Sequence, residues 1–232
     1  MPHHSTDREA AVLVSGGLDS AVLMVDLLRG YSRVHPIYVR FGLRWENGEL
    51  GSLRAFLDEV RPIRLGLMPL TVLEEPMAEV YGSHWANNGR AEVPGAETDD
   101  DAVYLPGRNV LLTAKAAVWC RLRGVETLAL GTLAANPFPD STPGFFHDLE
   151  AVLNRALGGR LKIIRPYERM AKTEVLRRGE GLPLHLTLSC LDPSAQGLPC
   201  GACNKCEERR KSFDLAGIED WNRVTVPGTE PS

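Results

Sequence analysis

The chain has no apolar run approaching the roughly 20 residues that a membrane-spanning helix needs. Its first ten residues include His3, His4, Asp7, Arg8 and Glu9, too polar for a secretory leader. The expectation is therefore a cytoplasmic protein whose thiols stay reduced. A basic excess is also missing: 26 Lys and Arg face 30 Asp and Glu, a formal net charge of -4. Phosphate-neutralising domains usually carry the opposite balance, which makes a dedicated nucleic-acid binder a poor reading. The basic run Arg209, Arg210 and Lys211 reads as a solvated helix face. Outside the stretch from Cys190 to Cys206 the chain has one cysteine, Cys120, set in an apolar run as a small buried hydrophobe.

What is present is an ordinary globular composition, 44% hydrophobic and 24% charged over 232 residues, enough for one large domain with a small appendage. Apolar periodicity sets out the elements. Ala11 to Val14 reads as a strand, broken at Ser15-Gly16-Gly17, and Ala21 to Arg29 as a helix stopped by Gly30. Val34 to Phe41 is a second strand, Gly48 to Val60 a helix, and Ile63 to Leu67 a weakly signalled third strand. Pro76 to Asp101 is polar, contains Asn87-Asn88-Gly89, and reads as a long loop and candidate lid. Val110 to Arg121 is a helix, Thr127 to Leu130 a strand ending at Gly131, and Phe145 to Ala156 a helix. Lys162 to Arg165 is a strand and Lys172 to Arg178 a helix. Strands alternating with helices predict a doubly wound parallel α/β sheet. The division expected is 1–185 for the α/β domain, 186–220 for a cysteine-bearing segment and 221–232 for a fraying tail.

Ser15-Gly16-Gly17-Leu18-Asp19-Ser20 follows the first strand and opens the first helix. Glycines let backbone N–H groups close on a phosphate, and a helix start presents unpaired amides and a positive dipole end to the same anion. Ser15 and Ser20 add hydroxyl donors, and Asp19 can hold Mg2+ on the phosphates. The Gly-Lys-Ser/Thr ending of a Walker loop is absent. A turn capped by Asp19 with no ligand is the plainer alternative. The string as a whole resembles the signature of the PP-loop ATP pyrophosphatases, which cleave ATP to AMP and pyrophosphate while adenylylating a substrate.

Cys190, Cys200, Cys203 and Cys206 form C-x9-C-G-x-C-x2-C. In a reducing compartment this clustering reads as metal ligation. Four thiolates suit tetrahedral Zn2+, leave no open position for water, and so point to a structural site. An iron–sulfur cluster is the rival occupant.

Taken together these motifs resemble the 7-cyano-7-deazaguanine synthase family, nitrile-forming ligases of queuosine biosynthesis. Supporting stretches are Leu105-Pro106-Gly107-Arg108-Asn109, Arg165-Pro166 followed by Lys172-Thr173-Glu174, Leu188-Ser189-Cys190, and Cys206-Glu207-Glu208-Arg209 with Phe213. The match runs from about Ala11 to Gly217. It implies an adenine nucleotide α-hydrolase-like, PP-loop fold with a C-terminal zinc-binding appendage. It implies ATP held by Ser15, Gly16, Gly17, Leu18, Asp19, Ser20, Gly107 and Asn109, with Mg2+. Asp19, Lys172 and Arg108 are the implied catalytic residues, Arg44, Asn136 and Asp140 the substrate contacts, and the four clustered cysteines the zinc ligands. A deazaguanine-like carboxylic acid and ammonia are the implied partners, and a homodimer is compatible.

Plainer roles compete at several of these positions. Arg108 could clamp a neighbouring carboxylate, Lys172 could be a solvated helix-start residue, and Asn109 could cap a helix starting at Val110. Two stretches depart from the family pattern. Arg40-Phe41-Gly42-Leu43-Arg44-Trp45 stands where the family shows Asp-Tyr-Gly-Gln-Arg-His. Ala134 to Thr142 keeps only Pro139-Asp140 of Asp-x-Ser-Gly-Tyr-Pro-Asp-Cys-Arg. Trp45 and Phe138 could stack on a planar heterocycle or simply pack in the core. The alternatives are a paralogue adenylylating a related acid for a different amine and, in another class, a zinc-containing nucleotide-binding module without turnover.

Overall fold

The computed structural model describes residues 8–88, 92–134 and 136–222. Five parallel strands form one sheet in the order β3-β2-β1-β4-β5: β1 Glu9–Leu13, β2 Arg33–Arg40, β3 Thr71–Glu74, β4 Thr127–Ala129 and β5 Lys162–Ile164. The helices are α1 Leu18–Asp26, α2 Glu46–Val60, α3 Ala78–Tyr81, α4 Trp85–Asn88, α5 Arg108–Arg123, α6 Pro143–Leu157, α7 Lys172–Arg178 and α8 Asn204–Ala216. No described helix is long and apolar enough to cross a membrane.

Alternation along the strands divides the core in two. Ala11, Leu13, Ile37, Val39, Leu128 and Ile163 pack with Ala116, Trp119 and Cys120 of α5 and with Phe146 and Leu153 of α6. Val12, Val34, Tyr38 and Ala129 face the other way, against α1, α2 and α7. A sheet buried on both faces needs apolar side chains at consecutive positions, and Ala10 to Val14 supplies them. The doubly wound architecture is therefore as expected. The cysteine-bearing segment shares both cores, through Leu188, Cys190 and Cys203 on one face and Phe213 on the other.

The third strand is not where the sequence places it. Ile63 and Leu65 are exposed, Arg61–Ile63 forms a 3-10 turn containing Pro62, and Leu67 makes only an isolated bridge to Val34. Gly66 lies so close to Ser32 that a Cβ there would come within 2.5 Å of the Ser32 carbonyl oxygen. The strand forms instead at Thr71–Glu74, in register with Ile37 to Arg40.

The candidate lid is also more structured than a loop. It holds α3 and α4, buries Trp85 and Ala86, and stacks Trp85 on Trp45 at 5.5 Å. Gly95 bridges to Cys203, and the Asn204 side-chain amide donates to the Thr98 carbonyl. Gly89 in the Asn-Asn-Gly turn and most of the expected tail lie outside the described residues.

Arg209 is not on a solvated face. It is buried, donates to both carboxylate oxygens of Asp220 at 2.7 and 2.9 Å, and reaches Thr187 and the Leu184 carbonyl. Arg210 and Lys211, on the outer side of α8, are exposed.

Candidate active site

In an open parallel sheet, the loops leaving two neighbouring strands diverge where the strand order reverses, and ligands settle in that crevice. Here the reversal lies between β1 and β4. A cavity of about 390 Å3 opens there, walled by Ser15 to Ser20 after β1 and by Leu130 to Leu133 after β4. Further wall comes from Tyr38 and Val39 of β2, Trp45 and Glu49, the start of α5, Asn136 to Phe138, Lys172, and the segment carrying Leu188 to Leu191, Lys205 and Glu208.

The glycine turn is held in its shape. Gly16 has a φ of 75°, a conformation that favours glycine, and a Cβ there would lie 2.4 Å from the Glu49 carbonyl oxygen. The Ser15 amide donates to the Ser20 hydroxyl, which in turn donates to the Gly17 carbonyl. The N-cap of α1 is Gly17, with no side-chain cap, so Asp19 does not play the capping role considered for it. The first amides of α1 lack intrahelical acceptors and sit at the cavity wall.

Lys172 projects from the first residue of α7 and is only partly exposed, not solvated. Its Nζ is 2.6 Å from Asp19 Oδ2 and 3.3 Å from Glu208 Oε1, and Lys205 Nζ is 2.6 Å from Glu208 Oε2. Burial pulls the Lys172 pKa down, but the carboxylates of Asp19 and Glu208 outweigh it and raise it. Burial likewise pushes Glu208 upward, yet the ammonium groups of Lys172 and Lys205 hold it down to about 2. The result is a line of alternating charges, Asp19, Lys172, Glu208, Lys205, along one wall.

Gly107 is the N-cap of α5, with a φ of 74°, so the helix begins at Arg108 and Asn109 lies inside it. Asn109 is thus not the cap; it is the group that is capped. Asp140 Oδ2 accepts from the Asn109 backbone amide at 3.0 Å, and the Asn109 side chain donates to the Asp140 carboxylate and carbonyl. This pairing turns Arg108 toward the cavity, where its guanidinium carbon sits 6.0 Å over the Trp45 ring. No carboxylate clamps it among the described residues.

Buried polar groups are nearly always paired, so orphans grouped at one cavity indicate a missing ligand. Asp19 Oδ1, Arg108 Nε and Thr132 Oγ1 are all buried with no hydrogen-bond partner among the described residues, and all three residues line this cavity. A phosphate-bound cation fits the Asp19 oxygen, and an anion fits Arg108.

The expected substrate contacts are divided. Asn136 lines the cavity, although its side-chain oxygen already accepts from the Phe138 amide and the Ser141 hydroxyl. Asp140 is buried behind Asn109 rather than in the wall, and Arg44 is turned away to Asp192 at 2.7 Å. Trp45 and Phe138 line the cavity while packed against Trp85 and Tyr104, so each is both wall and core.

Two acids were not singled out by sequence reasoning. Glu46 is buried and accepts from the amides of Phe41 and Gly42, bracing the divergent turn after β2. Glu49 faces the cavity and accepts from the Tyr38 hydroxyl at 2.6 Å. Burial pushes Glu49 up to about 7 despite the Arg108 charge and the Tyr38 hydrogen bond. The available signal was spacing: Glu49 stands one helical turn before Leu53, on the flank of the face that α2 buries.

The four clustered cysteine sulfurs all lie within 4.8 Å of one another, and Cys200 and Cys206 are 3.9 Å apart. Sulfurs around tetrahedral Zn2+ with bonds near 2.3 Å are about 3.8 Å apart, so the cluster fits a metal ion. Backbone amides of Leu191, Asp192 and Cys200 donate to Cys203 or Cys190 sulfurs, as thiolates require. Cys120 is fully buried and pushed up to about 12 by desolvation, which makes it an inert thiol.

A parallel sheet with an uncapped serine–glycine turn at its switch point, plus a four-cysteine metal-binding cluster, defines a protein of the PP-loop class. Two solved structures share the fold. One is a U34-tRNA thiolase, NcsA, from Methanococcus maripaludis with its [4Fe-4S] cluster, at TM-score 0.50 and 16% identity, covering 97% of this chain and 79% of that one. The other is a 4-thiouridine synthetase–RNA complex with bound ATP, at TM-score 0.50 and 17% identity, covering 92% of this chain and 51% of that one.

Within the class, the model of the queuosine biosynthesis protein QueC matches residues 9–217, and the chain belongs to that family. It is similar to 7-cyano-7-deazaguanine synthases from Syntrophobacter fumaroxidans (33% identical, covering 93% of this chain and 96% of the relative) and Anaeromyxobacter dehalogenans (32%, 93% and 95%).

Proposed function

We propose that the chain is an ATP-dependent carbon–nitrogen ligase that converts 7-carboxy-7-deazaguanine and ammonia to 7-cyano-7-deazaguanine in the cytoplasm. The observation that carries this reading is the switch-point cavity, in which a phosphate-type turn meets Lys172, Arg108 and the unpaired Asp19 oxygen. Carboxylate and amide oxygens are poor leaving groups, and transfer of AMP to each in turn makes them good ones. The α1 amides, Ser15 and Ser20 would hold the phosphates. Lys172 and Arg108 would offset the charge that builds on them as pyrophosphate leaves. Asp19 would hold Mg2+, which supplies Lewis-acid charge to the phosphate oxygens when bound. Gly107 and Asn109 set the start of α5 and so the aim of Arg108.

The cysteine cluster would hold Zn2+ in a structural role, because its four ligands saturate the ion and its segment completes the cavity wall. The test is release of AMP and pyrophosphate with the acid and ammonia, with the product identified by mass. Dependence of both on the acid is expected. Absence of AMP release under every condition would instead support a binding module without turnover.

A second reading, a paralogue acting on a related acid or a different amine, is favoured by one observation. Arg44, retained from the family string, is committed to Asp192, and Asp140 is committed to Asn109. A wall lacking partners for a buried purine-like ring would lose about 1–3 kcal/mol for each unpaired group. Nitrile formation from a panel of acids and amines separates the two readings.

A further inference from the structure

Three carboxylates line the cavity: Asp19, Glu208 and Glu49. Two of them are neutralised, Asp19 by Lys172 and Glu208 by Lys172 and Lys205. Glu49 makes no ion pair with a described residue. Its Oε2 is tethered by the Tyr38 hydroxyl at 2.6 Å, and no described residue hydrogen-bonds its Oε1. The tether is rigid, because Tyr38 is buried in β2 and the backbone of Glu49 is packed against Gly16 of the phosphate turn. A fixed carboxylate with one free oxygen, set beside the turn that would hold the phosphates, is what a reaction that must remove N–H protons requires.

We infer that Glu49 is the proton acceptor for the incoming nitrogen, an inference that rests on the ligase reading above. In the first stage the ammonia nitrogen bonds to the adenylylated carbonyl carbon. The bond from that carbon to the AMP oxygen breaks, AMP leaves with the electron pair, and an N–H proton passes to Glu49 Oε1. In the second stage the amide oxygen carries AMP, pyrophosphate having left. The amide nitrogen then loses both its protons, one as the imidate forms and one as the C–O bond to AMP breaks to leave the C≡N triple bond. The first passes to solvent water and Glu49 Oε1 takes the second, and after each transfer Glu49 returns its proton to solvent.

The groups facing Glu49 are Tyr38 from β2, Glu46 from its own helix and Arg108 from α5. Burial and Glu46 raise its pKa, while Arg108 and the Tyr38 hydrogen bond lower it. The balance leaves it able to accept and release a proton near neutral pH.

The experiment measures two half-reactions of the purified full chain carrying Glu49→Gln. Acid-dependent exchange of pyrophosphate into ATP, which needs no nitrogen, is expected to be unchanged. Amide and nitrile formation are expected to fall by about 10²–10⁴-fold. In the wild type, at constant free ammonia, nitrogen transfer should rise with pH through a limb near 7. Tyr38→Phe, which removes a donor to the carboxylate, should move that limb to higher pH.

Equal loss of exchange and nitrogen transfer in Glu49→Gln, or full retention of nitrogen transfer, would overturn the assignment. Should Glu49→Gln not fold, an unmoved limb in Tyr38→Phe overturns it. Failure of the wild type to exchange pyrophosphate with any acid would instead sink the ligase reading itself.

Discussion

The Arg209–Asp220 pair offers a test in which two magnitudes decide between two pictures of α8. A solvated ion pair on a helix face contributes about 0–1 kcal/mol. A buried, fully hydrogen-bonded pair behaves differently: removing one partner strands a charge and costs about 3–5 kcal/mol. Both side chains are less than 10% exposed, at 7% and 4%, and Arg209 has five hydrogen bonds to Asp220, Thr187 and Leu184. The buried value should therefore apply. For a chain of this length each 1 kcal/mol moves Tm by about 2–4 °C, so Asp220→Ala should lower Tm by about 6–20 °C.

Equilibrium urea denaturation at neutral pH gives the free energy directly, with the slope checked to be unchanged. The double substitution Arg209→Met with Asp220→Leu should recover most of the loss, because no charge is then left unpaired. A loss below about 1 kcal/mol for Asp220→Ala would refute the buried geometry and return Arg209 to the solvated face.

Asp19→Ala should abolish AMP release while leaving the melting transition in place; unfolding on purification would make Asp19 a structural residue. Cys203→Ser should purify with little or no metal and melt well below the wild type, because a four-thiolate site contributes folding energy outright. A metal-free, fully stable variant would contradict that. Glu49 yields a prediction with a definite sign. Its folded pKa near 7 lies above the ordinary 4.5, so its contribution is intact below about pH 4.5 and is lost as pH rises through 7. Glu49→Gln should thus be more stable than the wild type at pH 8 by about 3 kcal/mol, with the difference vanishing near pH 4. Denaturant midpoints across that range check it, and a pH-independent difference would contradict the raised value.

The parts of this molecule legible in its sequence are those whose chemistry is local. The Ser15 to Ser20 turn, the four-cysteine spacing and the helix Lys172 to Arg178 each follow from residues within a few positions of one another. What was not legible depends on partners distant in the chain. Ile63 to Leu67 has strand-like composition, but Pro62 and the close approach of Gly66 to Ser32 move the pairing on to Thr71. Arg209 reads as surface until Asp220 and Thr187 are brought beside it. Arg44 matches the family string, yet Asp192, far along the chain, takes its guanidinium. Glu49 is one of several acids in α2, and only the fold sets it against Tyr38 and Gly16. The glycine turn, Asp19 and the four-cysteine spacing were thus readable in the sequence, whereas Glu46 and Glu49 were not.

The wall around the switch-point cavity is drawn from both ends of the polypeptide: the turn at residues 15 to 20 and the stretch from Leu188 to Glu208. Ribosomal synthesis makes these ends at very different times. A nascent chain has no complete pocket until residues 188–208 have emerged and packed beside the turn. Metal taken up by the four cysteines would fix the Leu188 to Glu208 side of that wall, far along the chain from the turn it completes.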